Sequence, residues 1–133
     1  MKKRLTIVTI LICFVATSQC EIKTIENEYY YYKGCINFEG KPDGVGNRKV
    51  QLKNQSQVFD GNFKNGGFIS GELSVTFDNG DIQSITYLDY LNDIKSKELY
   101  TSLDKSQVTT FYESGKKVKE LFTYGPGETE GLV

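Results

Sequence analysis

The chain contains no histidine. Without an imidazole there is no serine or cysteine triad of the usual kind and no His-containing zinc site. Three cysteines are also too few for a four-cysteine zinc cluster. Prolines number only two, and no stretch of biased composition divides the chain, so one domain accounts for it. Basic charge is not in excess: 16 Lys and Arg stand against 17 Asp and Glu. That balance argues against nucleic acid as a partner, because phosphates are gripped by clustered cations. The short basic run Lys116, Lys117 and Lys119 lies beside Glu120 and reads as a solvated strand face. No cofactor is expected, since Gly44-Val45-Gly46 lacks the rest of the dinucleotide fingerprint. Asp78-Asn79-Gly80-Asp81 lacks the length and the terminal Glu of a calcium loop.

A long apolar run is missing too. Leu5 to Ala16 covers twelve residues, where a membrane-spanning helix needs about 20. Lys2, Lys3 and Arg4 precede it and the small residues Ala16, Thr17 and Ser18 end it, which is the pattern of a secretory signal peptide. The expected organisation is a signal peptide at 1–18 and one domain at 19–133. The product is secreted, or held in the periplasm or cell envelope, with no transmembrane span in its mature form. Removing the three N-terminal cations takes the formal charge from −1 to −4. Cys20, so close to the cut, opens a second option, acylation to give a lipid anchor. Gln19 and Thr17 match the acylation pattern poorly, and cleavage after Ser18 is preferred.

Cys13 leaves with that segment, so Cys20 and Cys35 remain as a candidate disulfide in an oxidising compartment. A loop of that size contributes about 3 kcal/mol in the chain-entropy account. An acylated Cys20 would exclude the bridge and leave Cys35 free.

What the chain does have is glycine, 13 of them, and 13% aromatic residues. Together they predict a mainly β fold of short antiparallel strands and tight turns. Glu72 to Phe77 alternates polar and apolar, Asp78-Asn79-Gly80-Asp81 turns, and Ile82 to Tyr87 returns. Asn-Gly suits a type I′ turn, so a hairpin of that kind is expected here. Gln107 to Tyr112, Glu113-Ser114-Gly115 and Lys117 to Tyr124 predict a second hairpin, whose turn resembles the first in sequence. Gly115 follows Gly80 by 35 residues, which suggests an insertion or a degenerate unit between them. Asp89 to Leu103 reads either as one short helix or as two strands joined at Asn92-Asp93.

Glycine and aromatic residues also recur in order. Tyr32-Lys33-Gly34 is echoed 27 residues later by Phe59-Asp60-Gly61, followed by Phe63, Asn65 and Gly66. Self-similarity at this period signals stacked units that bury their apolar faces against neighbours. Tyr32-x-Gly34, with Gly40, Gly44 and Gly46, and Phe59-x-Gly61-x-Phe63-Lys64-Asn65-Gly66 resemble the membrane occupation and recognition nexus (MORN) repeat. Phe111 to Leu121 is similar to the bacterial variant of that repeat. The departures are specific. Gly34 to Gly40 and Gly66 to Gly71 each carry one residue too many, and Leu73 stands where the unit's last glycine is expected. Gln55 or Ser56 replaces a turn glycine. The resemblance implies hairpins laid side by side in an antiparallel meander or solenoid, with Tyr32, Phe38, Phe59, Phe63, Phe68 and Phe77 in the core. The N-terminal segment and the region of Ile94 are expected to cap it.

Tyr29, Tyr30, Tyr31 and Tyr32 form an unbroken run. It reads simply as a first strand with alternate rings buried. It is also the place to look first for a contact surface, because a tyrosine offers an apolar face and a polar tip. Asn54-Gln55-Ser56 matches the glycosylation sequon, which only a eukaryotic host would use. The acidic residues are scattered, and no pair is set in apolar surroundings that would tune it for catalysis. The expectation is therefore an exported, non-catalytic repeat protein that binds a protein or an envelope component. The alternatives are a small secreted or periplasmic hydrolase working through carboxylates, and a toxin-neutralising, immunity-type protein.

Overall fold

The computed structural model describes residues 20–124 and, as backbone, 128–132. The expected signal peptide at 1–18 lies outside the described residues. Ten strands follow one another: β1 (Glu21–Glu26), β2 (Tyr30–Ile36), β3 (Pro42–Gln51), β4 (Gln55–Lys64), β5 (Gly67–Phe77), β6 (Ile82–Asp89), β7 (Ile94–Thr101), β8 (Gln107–Glu113), β9 (Lys116–Tyr124) and β10 (Glu128–Leu132). Each pairs antiparallel with the next, in the spatial order β1 to β10, so the sheet is an open meander with β1 and β10 at its edges. The mainly β, antiparallel expectation holds.

The short helix does not form. Among the described residues there is no helix, and Asp89 to Leu103 is the end of β6, a turn and β7. The reason is local. Asp89 accepts hydrogen bonds from the backbone and side chain of Asn92 (3.3 and 2.7 Å), and Asp93 takes φ 55°, which a right-handed helix cannot contain. Ile94 then leads a strand alternating across the sheet.

The echo in the sequence has a spatial meaning. Paired residues across the sheet form a row running Tyr32, Arg48, Phe59, Leu73 and Ile85. Tyr32 and Phe59 thus stand in equivalent places two strands apart. The neighbouring row on the same face is Gly34, Gly46, Gly61 and Gly71, and then Tyr87. These glycines leave the backbone bare beneath the rings. A Cβ on Gly46 would collide with the ring of Tyr32, and one on Gly61 with the carbonyl oxygen of Ser70. The row is a bed on which aromatic side chains lie flat against main chain.

The core sits on that face: Tyr32, Phe59, Phe63, Phe68, Leu73, Val75, Ile85 and Tyr87 are all buried. Tyr32 meets Phe63 edge to face with centroids 5.1 Å apart, Phe63 meets Phe68 at 5.5 Å, and Phe68 meets Phe59 at 5.2 Å. Tyr90 folds in from the β6–β7 turn onto Phe68 (5.4 Å) and Tyr87 (5.0 Å), held by a hydrogen bond from its amide to the Ile69 carbonyl. Arg48 covers the Phe59 ring at 4.3 Å and donates to the Gly66 carbonyl.

Phe38 departs from the expected core. It is 99% exposed at the tip of the β2–β3 turn. The Asn37 carbonyl accepts from the Gly40 amide, and Gly40 adopts φ 81°, so Phe38 and Glu39 at the tip of the turn are thrown outward. Phe77 is only half-buried against the core.

Turn chemistry also differs from expectation. The Gly80 amide donates to Phe77, the Phe77 amide donates to the Asp81 carbonyl, and within this turn only Gly80 has positive φ (93°). This is a type I turn closed by a left-handed glycine, not a type I′ turn. Two-residue turns with both φ values positive occur instead at Asn65-Gly66 (50°, 96°) and Ser114-Gly115 (51°, 80°). Gly80 follows β5 and Gly115 follows β8, so they lie at opposite ends of the sheet. Their resemblance in sequence does not mark equivalent positions.

Candidate binding surface

The β1–β2 turn fixes the tyrosine run. The Asn27 amide donates to the Tyr30 carbonyl (2.8 Å), the Asn27 side chain accepts from the Tyr29 amide (3.0 Å), and the Gln51 amide donates to the Tyr29 carbonyl (2.9 Å). From that anchored start the strand alternates. Tyr30 and Tyr32 face the core, and Tyr31 faces the opposite side, where the paired row reads Tyr31, Lys49, Val58 and Ser74. Tyr32 is fully buried and donates its hydroxyl to the Cys35 carbonyl at 2.6 Å, and burial raises its pKa above the usual phenol value. Tyr30 is half-buried against the core, and Tyr29 is 60% exposed. The four tyrosines therefore divide: Tyr32 is core, and the other three reach solvent.

Those three line a cavity of about 290 Å³, to which the face away from the core contributes the cross-strand row Tyr31, Lys49 and Val58. Its lining includes Tyr29 and Tyr31, Val58 two strands away, and the polar turn residues Asn27 and Glu28. Lys49, Gln51, Ser56 and Gln57 supply the rest of its polar lining. The Lys49 ammonium lies 5.7 Å from the Tyr31 ring centroid. The Gln51 side-chain nitrogen donates to the Leu52 carbonyl at 2.9 Å, which fixes the direction of its amide.

The residues of β3 and β4 in this cavity were not singled out from sequence. They meet the tyrosines only once register is known, because Tyr31 pairs with Lys49 and Lys49 with Val58. The alternation of Lys49 and Gln51 with Val50 was the signal that both polar side chains share a face. Asn54 of the sequon is exposed in the neighbouring β3–β4 turn.

Cys20 and Cys35 stand at disulfide distance, with Cα atoms 5.4 Å apart. The pair ties the chain just before β1 to the end of β2, so it clamps the edge strand beside the tyrosine strand. β1 needs such a clamp: five of its six residues are exposed.

Two other polar groupings exist. Lys95 bridges to Glu98 at 2.8 Å, with Tyr112 5.7 Å beneath its ammonium, and the hydrogen bond to Glu98 raises the Lys95 pKa. Tyr87, in the same neighbourhood, has its pKa raised chiefly by burial. Asp60 and Glu72 pair across β4 and β5 on the solvent face, both exposed. Among the described residues no group of His, Cys, Asp and Glu side chains is placed to hold a metal ion. Comparison with protein-family models and with curated proteins finds no match to this chain.

Proposed function

We propose that the protein is exported and acts by binding, with the Tyr29–Tyr31 cavity as its contact surface and a protein or envelope component as its partner. One observation carries this reading. Three consecutive tyrosines, two of them directed away from the core or exposed, form the wall of a mixed polar and apolar cavity on a rigidly paired sheet. Aromatic residues with polar tips gain contact area at low entropic cost, because a tyrosine has only two side-chain torsions to fix. Support for export comes from the basic-then-apolar start and from two cysteines at bonding distance, a pairing suited to an oxidising compartment. The glycine and aromatic recurrence, which occupies equivalent places two strands apart, supports a MORN-like repeat.

The test is capture from a native envelope fraction by the wild-type chain and by a Tyr29→Ala/Tyr31→Ala double variant. A partner retained by the first and lost by the second supports the proposal. Equal retention by both overturns the assignment of the surface. The hydrolase alternative has its own readout: turnover on a glycan, lipid or ester panel that disappears in Asp60→Asn or Glu72→Gln would replace binding with catalysis. Mass spectrometry of the mature N-terminus decides compartment chemistry, since a diacylated Cys20 is incompatible with the Cys20–Cys35 bridge.

A further inference from the structure

We propose that the Tyr29–Tyr31 cavity is a saccharide site that takes one or two units of an uncharged glycan side-on. The inference rests on the reading of this cavity as the contact surface, and it names the chemistry of the occupant.

Backbone geometry narrows the choice first. The floor of the cavity is the face of β2, β3 and β4, and each of these strands is paired on both sides. Their amides and carbonyls are engaged in the sheet, so an extended peptide cannot add a strand here; that mode needs a free edge. Recognition must come from side chains alone.

Those side chains suit a sugar. Tyr29 is largely exposed, and Tyr31 and Val58 provide an apolar surface for the C–H face of a pyranose ring. Around them stand the amides of Asn27 and Gln51 and the hydroxyl of Ser56. Amides and hydroxyls both donate and accept, as vicinal diols do. Both amides are already held: Gln51 by its bond to the Leu52 carbonyl, and Asn27 by the Tyr29 amide. The charges cancel, because the cavity has one carboxylate, Glu28, and one ammonium, Lys49. A phosphate or carboxylate ligand would meet no surplus of positive charge. Size fits as well, since 290 Å³ lies at the small end for enclosing a ligand. A cavity of that volume grips part of a longer chain and lets the rest run past.

The experiment titrates the exported chain, its Cys20–Cys35 bridge intact, with chitotetraose, maltotetraose and cellotetraose. Binding is followed by calorimetry and by near-ultraviolet circular dichroism. The chain has no tryptophan, so the near-ultraviolet bands lying to the red of the phenylalanine bands come chiefly from tyrosine, and the disulfide adds only a broad background. Saturable binding of at least one tetraose with a tyrosine signal change is expected. Tyr31→Ala should weaken it about tenfold or more, Tyr29→Ala should weaken it severalfold, and Lys49→Gln should change it less than about twofold. No saturation by any of the three up to about 10 mM, or affinity unchanged in both tyrosine variants, overturns the proposal. The envelope capture assay separates the two levels of inference. Capture that depends on Tyr29 and Tyr31 yet survives periodate oxidation of the fraction keeps the contact surface and overturns the saccharide. Capture indifferent to those tyrosines removes both.

Discussion

The first half of the meander and the second are joined by an unbroken hydrogen-bonded ladder, yet they place their apolar side chains differently. From β2 to β6 the central row on the core face reads Tyr32, Arg48, Phe59, Leu73 and Ile85. The same row continues across β7 to β9 as Glu98, Thr110 and Glu120. On the opposite face the change runs the other way. Val58, Ser74 and Ser84 give way to Leu99, Thr109 and Leu121, and Asp60, Glu72 and Thr86 give way to Lys97, Phe111 and Lys119. The row of the core face that starts at Tyr30 and Val50 and passes through Val75 still carries apolar residues at its far end, Tyr100, Val108 and Phe122. The echo fades along with it: Tyr32 and Phe59 have Ile85 and Thr110 as their counterparts in β6 and β8. The comparison teaches that two sources of order operate in one sheet. Aromatic burial on a glycine bed holds the first half, and strand pairing with half-exposed aliphatic contacts holds the second.

That contrast predicts unequal costs for similar losses. Phe63→Ala in the first half should lower stability by about 3–5 kcal/mol, whereas Leu121→Ala in the second should cost about 1 kcal/mol. Denaturant titration of both variants checks this, and equal costs would erase the distinction. Next in size is the clamp on β1. A Cys20→Ser/Cys35→Ser variant should lose about 3 kcal/mol, with amide exchange rising in β1 and β2 and unchanged in β8 and β9. Uniform exchange increases would mean the halves unfold as one unit.

A smaller effect compares two turns. Gly80 and Gly115 both have positive φ, but a Cβ on Gly80 meets Leu103 Cδ1 at 2.7 Å and one on Gly115 meets nothing within 4 Å. Both valine substitutions carry backbone strain of about 1–2 kcal/mol. Gly80→Val should be the worse by roughly 1 kcal/mol, and thermal melts of the pair measure the difference. The smallest effect tests the polar row of the second half. Glu98→Gln should cost under about 1 kcal/mol. The hydrogen bond to Glu98 raises the Lys95 pKa above its ordinary value of 10.5, so the contribution is full at neutral pH and is lost as pH rises beyond that value. A wild-type advantage that grows above pH 10.5 would contradict this assignment.

Much of the fold was legible in the residues. Alternation placed Glu72 to Phe77 and Ile82 to Tyr87 in β5 and β6, and Gln107 to Tyr112 and Lys117 to Tyr124 in β8 and β9. The recurrence of Tyr32 and Phe59 identified core positions, because a two-strand step returns the chain to the same face. Phe38 misled because an aromatic side chain at a turn tip and one in a strand look alike without the backbone. β7 was ambiguous because Lys95, Lys97 and Glu98 dilute its alternation. The cavity was half visible: the tyrosine run stood out, but Lys49, Gln51, Ser56 and Val58 join it through register, which no local pattern encodes.

Because strand follows strand with no crossover, width across the sheet grows with position in the chain. Nine inter-strand steps of about 4.8 Å place Glu26 and Leu132, which share one cross-strand row, roughly 40 Å apart, less what twist removes. Anything fastened at the first edge is therefore held at arm's length from whatever meets the last. Adding or deleting one hairpin would reset that reach by about 10 Å without disturbing the rest of the molecule.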